Sequence, residues 1–131
     1  KALLPPSERR GLVLIDPPYE APDEFARAAA SLAAGYRRFA TGIYMVWFPI
    51  KSSAAADAFC GEVLASGAAK VLRIDIEGGA PANNDKEHLA AAGLLIVNPP
   101  FGMDVRMEAC GRLVAPFLDA QLSIRWLAGE D

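Results

Sequence analysis

The chain is poor in residues that hold metals: one histidine, His88, and two cysteines, Cys60 and Cys110, share no metal-ligand spacing in 131 residues. A zinc or iron–sulfur centre built on a recognisable motif is excluded, and no metal is expected. Two unpatterned cysteines fit a reducing compartment, each acting as a small buried hydrophobe. No apolar run reaches the roughly 18 residues that a membrane span needs. Prolines and charges crowd the first ten residues, so no signal peptide is expected, and the expected setting is cytoplasmic with no membrane partner. Gly78-Gly79 is the only glycine pair. It leads into Ala80-Pro81-Ala82-Asn83-Asn84-Asp85, a surface loop by composition and not a cofactor-cradling turn. His88 sits in polar Lys86-Glu87-His88-Leu89 and should be solvated.

An excess of positive charge is missing too, since the net charge is −3. Its distribution is uneven. Residues 1–51 carry seven Lys/Arg against five Asp/Glu, whereas residues 52–131 carry six against eleven. Phosphate contacts need local charge, not a basic whole. Arg9, Arg10, Arg37, Arg38 and Lys51 are expected around the motif described next. The bland reading, equally weighted, is that Arg37 and Arg38 close a helix, where cations are favoured anyway.

What is present is Asp16-Pro17-Pro18-Tyr19, directly after the apolar run Leu12-Val13-Leu14-Ile15. The run reads as a short buried strand bounded by Gly11 and a proline pair. Proline fixes φ, lacks an N–H and pushes the preceding residue towards extended backbone. The turn at the strand's carboxyl end should therefore be stiff, at the place where open α/β sheets bind ligands. A carboxylate and a backbone carbonyl can accept both hydrogens of an exocyclic amine and favour its developing positive charge. Tyr19 offers a face for a flipped-out base, worth roughly 1–3 kcal/mol in stacking. These features suit methylation of a base amino group. An incidental acid in a proline-rich turn is the bland alternative.

Coarse periodicity predicts strand 12–16, helix 23–35, strand 42–48, helix 53–67 capped by Ser52 or Ser53 and closed by Gly67, strand 70–77, strand 93–98, helix 103–119 and strand 122–127. Val71, Arg73, Asp75 and Glu77 alternate with Leu72, Ile74 and Ile76, the period of a strand burying one face. Parallel strands joined by helices, then paired strands, give an α/β fold, as the second half of a Rossmann-like methyltransferase sheet should show. The 53% hydrophobic content is high for a free-standing domain and fits a half-sheet with one open edge.

Taken together, Arg9 through Glu20, Gly35 through Gly42, Trp47-Phe48-Pro49-Ile50, Gly93 through Phe101 and Leu122-Ser123-Ile124-Arg125-Trp126 resemble the RlmJ-type methyltransferases in the same order. That resemblance implies methylation of adenine N6 in 23S ribosomal RNA with S-adenosyl-L-methionine as cofactor. It implies Asp16 as the catalytic acid, lying also beside the cofactor, and Pro17, Pro18 and Tyr19 as substrate contacts. Family members are about twice this length, and a reversed strand near the end is typical of their sheet. Residues 1–131 would then be the C-terminal part of one catalytic domain, holding the C-terminal half of the sheet alone without the N-terminal glycine-rich cofactor turn, and a monomer is expected.

Asn98-Pro99-Pro100-Phe101 nearly repeats the motif after a second apolar strand. An amide stabilises positive charge less than a carboxylate, so this copy is read as a strand terminator whose Phe101 could still line a groove. Lys51, beyond the second strand, is placed near the cleft as a substrate contact. Two other function classes stay open: amino methylation of DNA or of a protein glutamine, and a non-catalytic methyltransferase-like binding subunit.

Overall fold

The computed structural model describes residues 4–78 and 90–129. The elements run β1 (Leu12–Ile15), α1 (Glu24–Arg38), β2 (Ile43–Pro49), α2 (Ser53–Leu64), β3 (Val71–Gly78), β4 (Ala91–Val97), α3 (Met103–Val114), a 3₁₀ turn (Ala115–Leu118) and β5 (Ala120–Ala128). The expected loop 80–85 and His88 lie outside the described residues.

The five strands form one sheet in the order β1-β2-β4-β3-β5. β1 and β2 are parallel, with Ile15 opposite Val46. β4 lies antiparallel between β2 and β3, and β5 is antiparallel to β3. β1, β2 and β3 thus point one way while β4 and β5 point back. Parallel strands come first, as expected, but two later strands are reversed where one was expected.

Helices α1 and α2 cover one face. α1 turns Ala28, Ala29 and Leu32 inward and α2 turns Ala56, Phe59, Cys60 and Val63 inward, a helical spacing in each. They pack on Tyr44, Val46, Phe48, Val71, Leu95 and Val97. The other face carries Leu72, Ile74 and Ile96 under Met103 and Met107 of α3. α3 covers little of β1, where Leu12 and Leu14 are 61% and 62% exposed. The open half-sheet expected from composition is visible there.

Several local expectations are corrected. The helix expected to stop near 35 continues to Arg38, because Gly35 packs against the Tyr44 ring and does not end it. The helix expected over 103–119 stops at Val114. Pro116 supplies no N–H to an α-helical ladder, and the chain tightens into the 3₁₀ turn before β5 starts at Ala120. Ser52 stands at the N-cap of α2 in extended backbone, but its side chain makes no capping bond. Cys60 is buried as expected and Cys110 is exposed.

The polar face of β3 does not simply meet solvent. Arg73 is buried under α2, and its guanidinium donates to Asp57 at 2.6 Å and Asp75 at 2.8 Å and lies 5.6 Å from the centre of the Phe48 ring. Burial alone would lower its pKa; the bonds to Asp75 and Asp57 outweigh that and raise it. The hydrophobic neighbour Phe48 pairs across the sheet with Gly93. A Cβ at Gly93 would run into the fully buried Phe48 ring. Gly93→Ala in the full-length protein should therefore cost about 1–3 kcal/mol by overpacking. Urea denaturation measures it, and an unchanged midpoint would mean that this β2–β4 register is wrong.

Candidate active site

Asp16 leaves β1 at its carboxyl end, one residue past the Ile15–Val46 pair, and is exposed. Pro17 is half-buried, Pro18 exposed and Tyr19 half-buried. Tyr19 adopts φ 54°, in the left-handed region that a bulky side chain seldom occupies. Three contacts hold it there. Its hydroxyl donates to the Trp47 carbonyl at 2.7 Å, and its ring lies 4.8 Å from Phe25 and 5.8 Å from Trp47 between centroids. Burial, then the charges of Asp16 and Glu24, push the phenol's pKa up, so the hydroxyl remains a donor across the working pH range.

The turn re-enters secondary structure at once. The Glu24 carboxylate accepts the Ala21 N–H at 3.3 Å, tying the chain before α1 to its first residue. Glu24 also places an acid in the first turn, where the helix dipole favours it. Asp16 and the Tyr19 ring are consequently presented together at the carboxyl end of the sheet. An exposed carboxylate there can accept from an amine or a hydroxyl. As one wall of a cofactor crevice it fits, since it stands at the end of the outermost strand β1, and the other wall is not among the described residues. Those residues contain no group of three or more metal-binding side chains.

Lys51 follows β2 at this same end. It lines a groove of about 460 Å³ with Ser52, Ser53, Asp57, Arg73 and Arg125. Within it Arg125 lies 3.4 Å from Asp75, so much of the lining charge is internally paired while Lys51 stays exposed. Sequence reasoning missed this groove's floor, because Arg73 and Asp75 read as a solvated strand face.

The other expected cations lie elsewhere. α1 runs back from the carboxyl end of β1 to the start of β2, carrying Arg37 and Arg38 in its last turn to the opposite end of the sheet. Arg9 is there too, its carbonyl accepting from Thr41 at 3.3 Å, and Arg10 precedes β1 beside it. The expectation that these four arginines surround Asp16 is wrong, since one βα unit returns the chain to where it began. Only Lys51 shares the end of Asp16.

Asn98-Pro99-Pro100-Phe101 is also at the opposite end, since β4 is antiparallel and Val97 sits across from Tyr44. Phe101 is 89% exposed and lies far along the strands from Asp16, so it lines no groove there. Asn98 has φ 53°, and its amide donates to the Ala40 carbonyl at 2.7 Å and the Gly42 carbonyl at 2.9 Å. An aspartate could not make these two donations. Position 98 thus needs a donor, which the exposed carboxylate at position 16 of the near-identical motif is not.

Comparison with known proteins agrees with this architecture. Residues 1–128 match the family described as "Ribosomal RNA large subunit methyltransferase D, RlmJ", and the chain belongs to that family. It is 33% identical to ribosomal RNA large subunit methyltransferase J of Haemophilus influenzae and 36% identical to that of Escherichia coli K12, over 99% of this chain and 47% of each relative. A crystal structure of a DUF519-family protein from Legionella pneumophila superposes with a TM-score of 0.83 at 30% identity, over 95% of this chain and 46% of that one. The chain therefore spans about half the length of these relatives.

Because Asn98 ties the start of β2 and not the site, Asn98→Ala should lower stability by about 1–3 kcal/mol through the lost bonds. Its turnover by folded full-length protein should match the unsubstituted enzyme. A large fall in turnover at unchanged Tm would return this motif to the active site.

Proposed function

We propose that residues 1–131 are the C-terminal part of a single catalytic domain that methylates the N6 amino group of an adenine in 23S ribosomal RNA. The observation that carries this reading is the pairing of an exposed Asp16 carboxylate with a fixed, half-buried Tyr19 ring at the carboxyl end of β1. Membership of a ribosomal RNA methyltransferase family supports it.

The chemistry follows from the groups in place. An adenine amine is a poor nucleophile because its lone pair is delocalised into the ring. Asp16 and the Pro17 carbonyl can accept its two hydrogens, orient the nitrogen and favour the positive charge that grows on it. Pro18 stiffens the turn and Tyr19 receives the face of the flipped base. S-Adenosyl-L-methionine supplies the electrophilic methyl when bound, with Asp16 the cofactor contact within this chain. As the amine lone pair formed the N–C bond, the donor's S–CH3 bond would break and its electron pair would stay on sulfur, leaving S-adenosyl-L-homocysteine; one amine proton would be lost, for which Asp16 is the adjacent acceptor. Lys51 stands where a backbone phosphate of the same RNA can reach it. Holding two reactants in attack geometry can be worth roughly 7–11 kcal/mol of barrier, so positioning is the main task. The enzyme would work as a cytoplasmic monomer; no helix of the described residues is long and apolar enough to cross a membrane.

The N-terminal half of the domain would complete the site. The outer edge of β1 and the uncovered Leu12 and Leu14 provide its seat. Leu12→Lys with Leu14→Lys should then destabilise the full-length protein by more than about 2 kcal/mol, as core losses do and exposed-site changes do not. A Tm unchanged by both would show that this face meets solvent.

The decisive assay offers the full-length protein labelled S-adenosyl-L-methionine with unmodified 23S rRNA and with unmethylated DNA, and digests the products to nucleosides. N6-methyladenosine from RNA alone is expected. Asp16→Ala should lower that yield by about 100–1000-fold, on the scale of losing a pre-placed electrostatic group, with Tm nearly unchanged. Label in DNA, or near-normal turnover by Asp16→Ala, would overturn the assignment.

A further inference from the structure

Tyr19 is held more firmly than a surface stacking residue needs to be. Its φ of 54° is one that bulky L-residues adopt at an energetic cost, and such strain persists only where neighbours over-determine it. The neighbours are specific. The hydroxyl is spent on the Trp47 carbonyl, 28 residues away on β2. One side of the ring is backed by Phe25, the second residue of α1, at 4.8 Å and a 46° tilt. Phe25 rests in turn on Phe59 of α2 at 5.3 Å, and Phe59 on Phe48 of β2 at 5.3 Å. An unbroken line of aromatic rings thus runs from the turn into the fully buried core, where Phe48 and Phe59 are 0% and 1% exposed.

We propose that Phe25 and the Trp47 carbonyl are positioning elements for the target base: together they preset the plane of Tyr19, so that this ring acts through its face alone. This rests on the methyltransferase reading above and deepens it. The geometry separates two roles that a tyrosine could combine. A hydroxyl bonded to a main-chain acceptor, and kept protonated, is not free to exchange protons with substrate. Its contribution is to fix the ring angle. Phe25 contributes by packing tilted against the ring from α1, as the Trp47 ring does from β2 at 5.8 Å, so that the ring angle is set before a base meets it. Both act through Tyr19 without touching the reacting nitrogen.

The test measures steady-state methylation of 23S rRNA by full-length protein carrying Tyr19→Phe, Phe25→Leu, both together, or Phe25→Tyr. Loss of positioning in the bound base should raise KM for RNA by about 3–10-fold in each of the first two variants, with KM for S-adenosyl-L-methionine unchanged. Because both act on one ring, the double variant should fall well short of the product of the single effects. Phe25→Tyr, which keeps a backing ring, should stay within about twofold of the unsubstituted enzyme. An unchanged RNA KM in Phe25→Leu, a matching rise in KM for both substrates, or fully multiplicative effects would overturn the inference while leaving the function intact. A fall in kcat of more than about 100-fold in Tyr19→Phe at unchanged KM would overturn it as well, by showing that the hydroxyl works in the chemical step. No methyl transfer to RNA by the unsubstituted protein would overturn both the function and this inference.

Discussion

Strand direction is the constraint on which the site depends. β1, β2 and β3 share one direction and β4 is threaded backwards between β2 and β3. A turn that follows β1 or β2 therefore opens at one end of the sheet, and a turn that follows β4 opens at the other. That single fact brings Asp16, Tyr19 and Lys51 to a common end and sends Asn98 and Phe101 away from it. It also decides the chemistry tolerated at each end. At position 16 a free carboxylate faces outward, whereas at position 98 two main-chain carbonyls must be met by a donor.

The buried interior is organised to keep the Asp16 end rigid. Tyr19, Phe25, Phe59 and Phe48 contact in series, and the Arg73 guanidinium lies over the last ring. Arg73 is costly to bury, and two carboxylates satisfy it; removing both would leave a buried charge without a carboxylate partner. The ion cluster thereby joins α2 to β3, and the aromatic series joins α2 and β2 to the Asp16–Tyr19 turn. A shift of α2 would be felt at both. Stiffness at the turn suits a reaction whose barrier is lowered mainly by orientation, because an ångström of slack there costs rate directly.

Element types were legible in the sequence because β-branched runs, alanine-rich helical spacing and proline placement agree locally. The turn Asp16–Tyr19 was legible as a stiff strand-end turn for the same reason: its acid, prolines and aromatic sit on four consecutive residues. What pattern could not carry was direction and depth. Asn98-Pro99-Pro100-Phe101 matched the first motif because a local pattern holds no record of which way its strand runs. The arginines at 9, 10, 37 and 38 looked close to Asp16 along the chain, yet a helix of 15 residues carried two of them to the far end of the sheet. Arg73 looked solvated because its partner Asp57 comes from α2, 16 residues earlier. The Trp47 acceptor for Tyr19 is a carbonyl, and every residue has one, so composition gives no sign of it.

The open side of β1 fits the same logic. The outer strand β1 is short, which limits edge pairing, yet it leaves Leu12 and Leu14 exposed on one face and carries no charged residue within it. A surface left in that state is one that another part of the fold covers. Under the proposed assignment the covering half also bears the methyl donor, so the seam along β1 and the seam between donor and acceptor are one place. Asp16 then lies on the boundary by necessity: it must face the amine from the substrate side and the donor from the other. The end of the outermost of the described strands, paired on one edge with β2, is the position in this sheet that would border both.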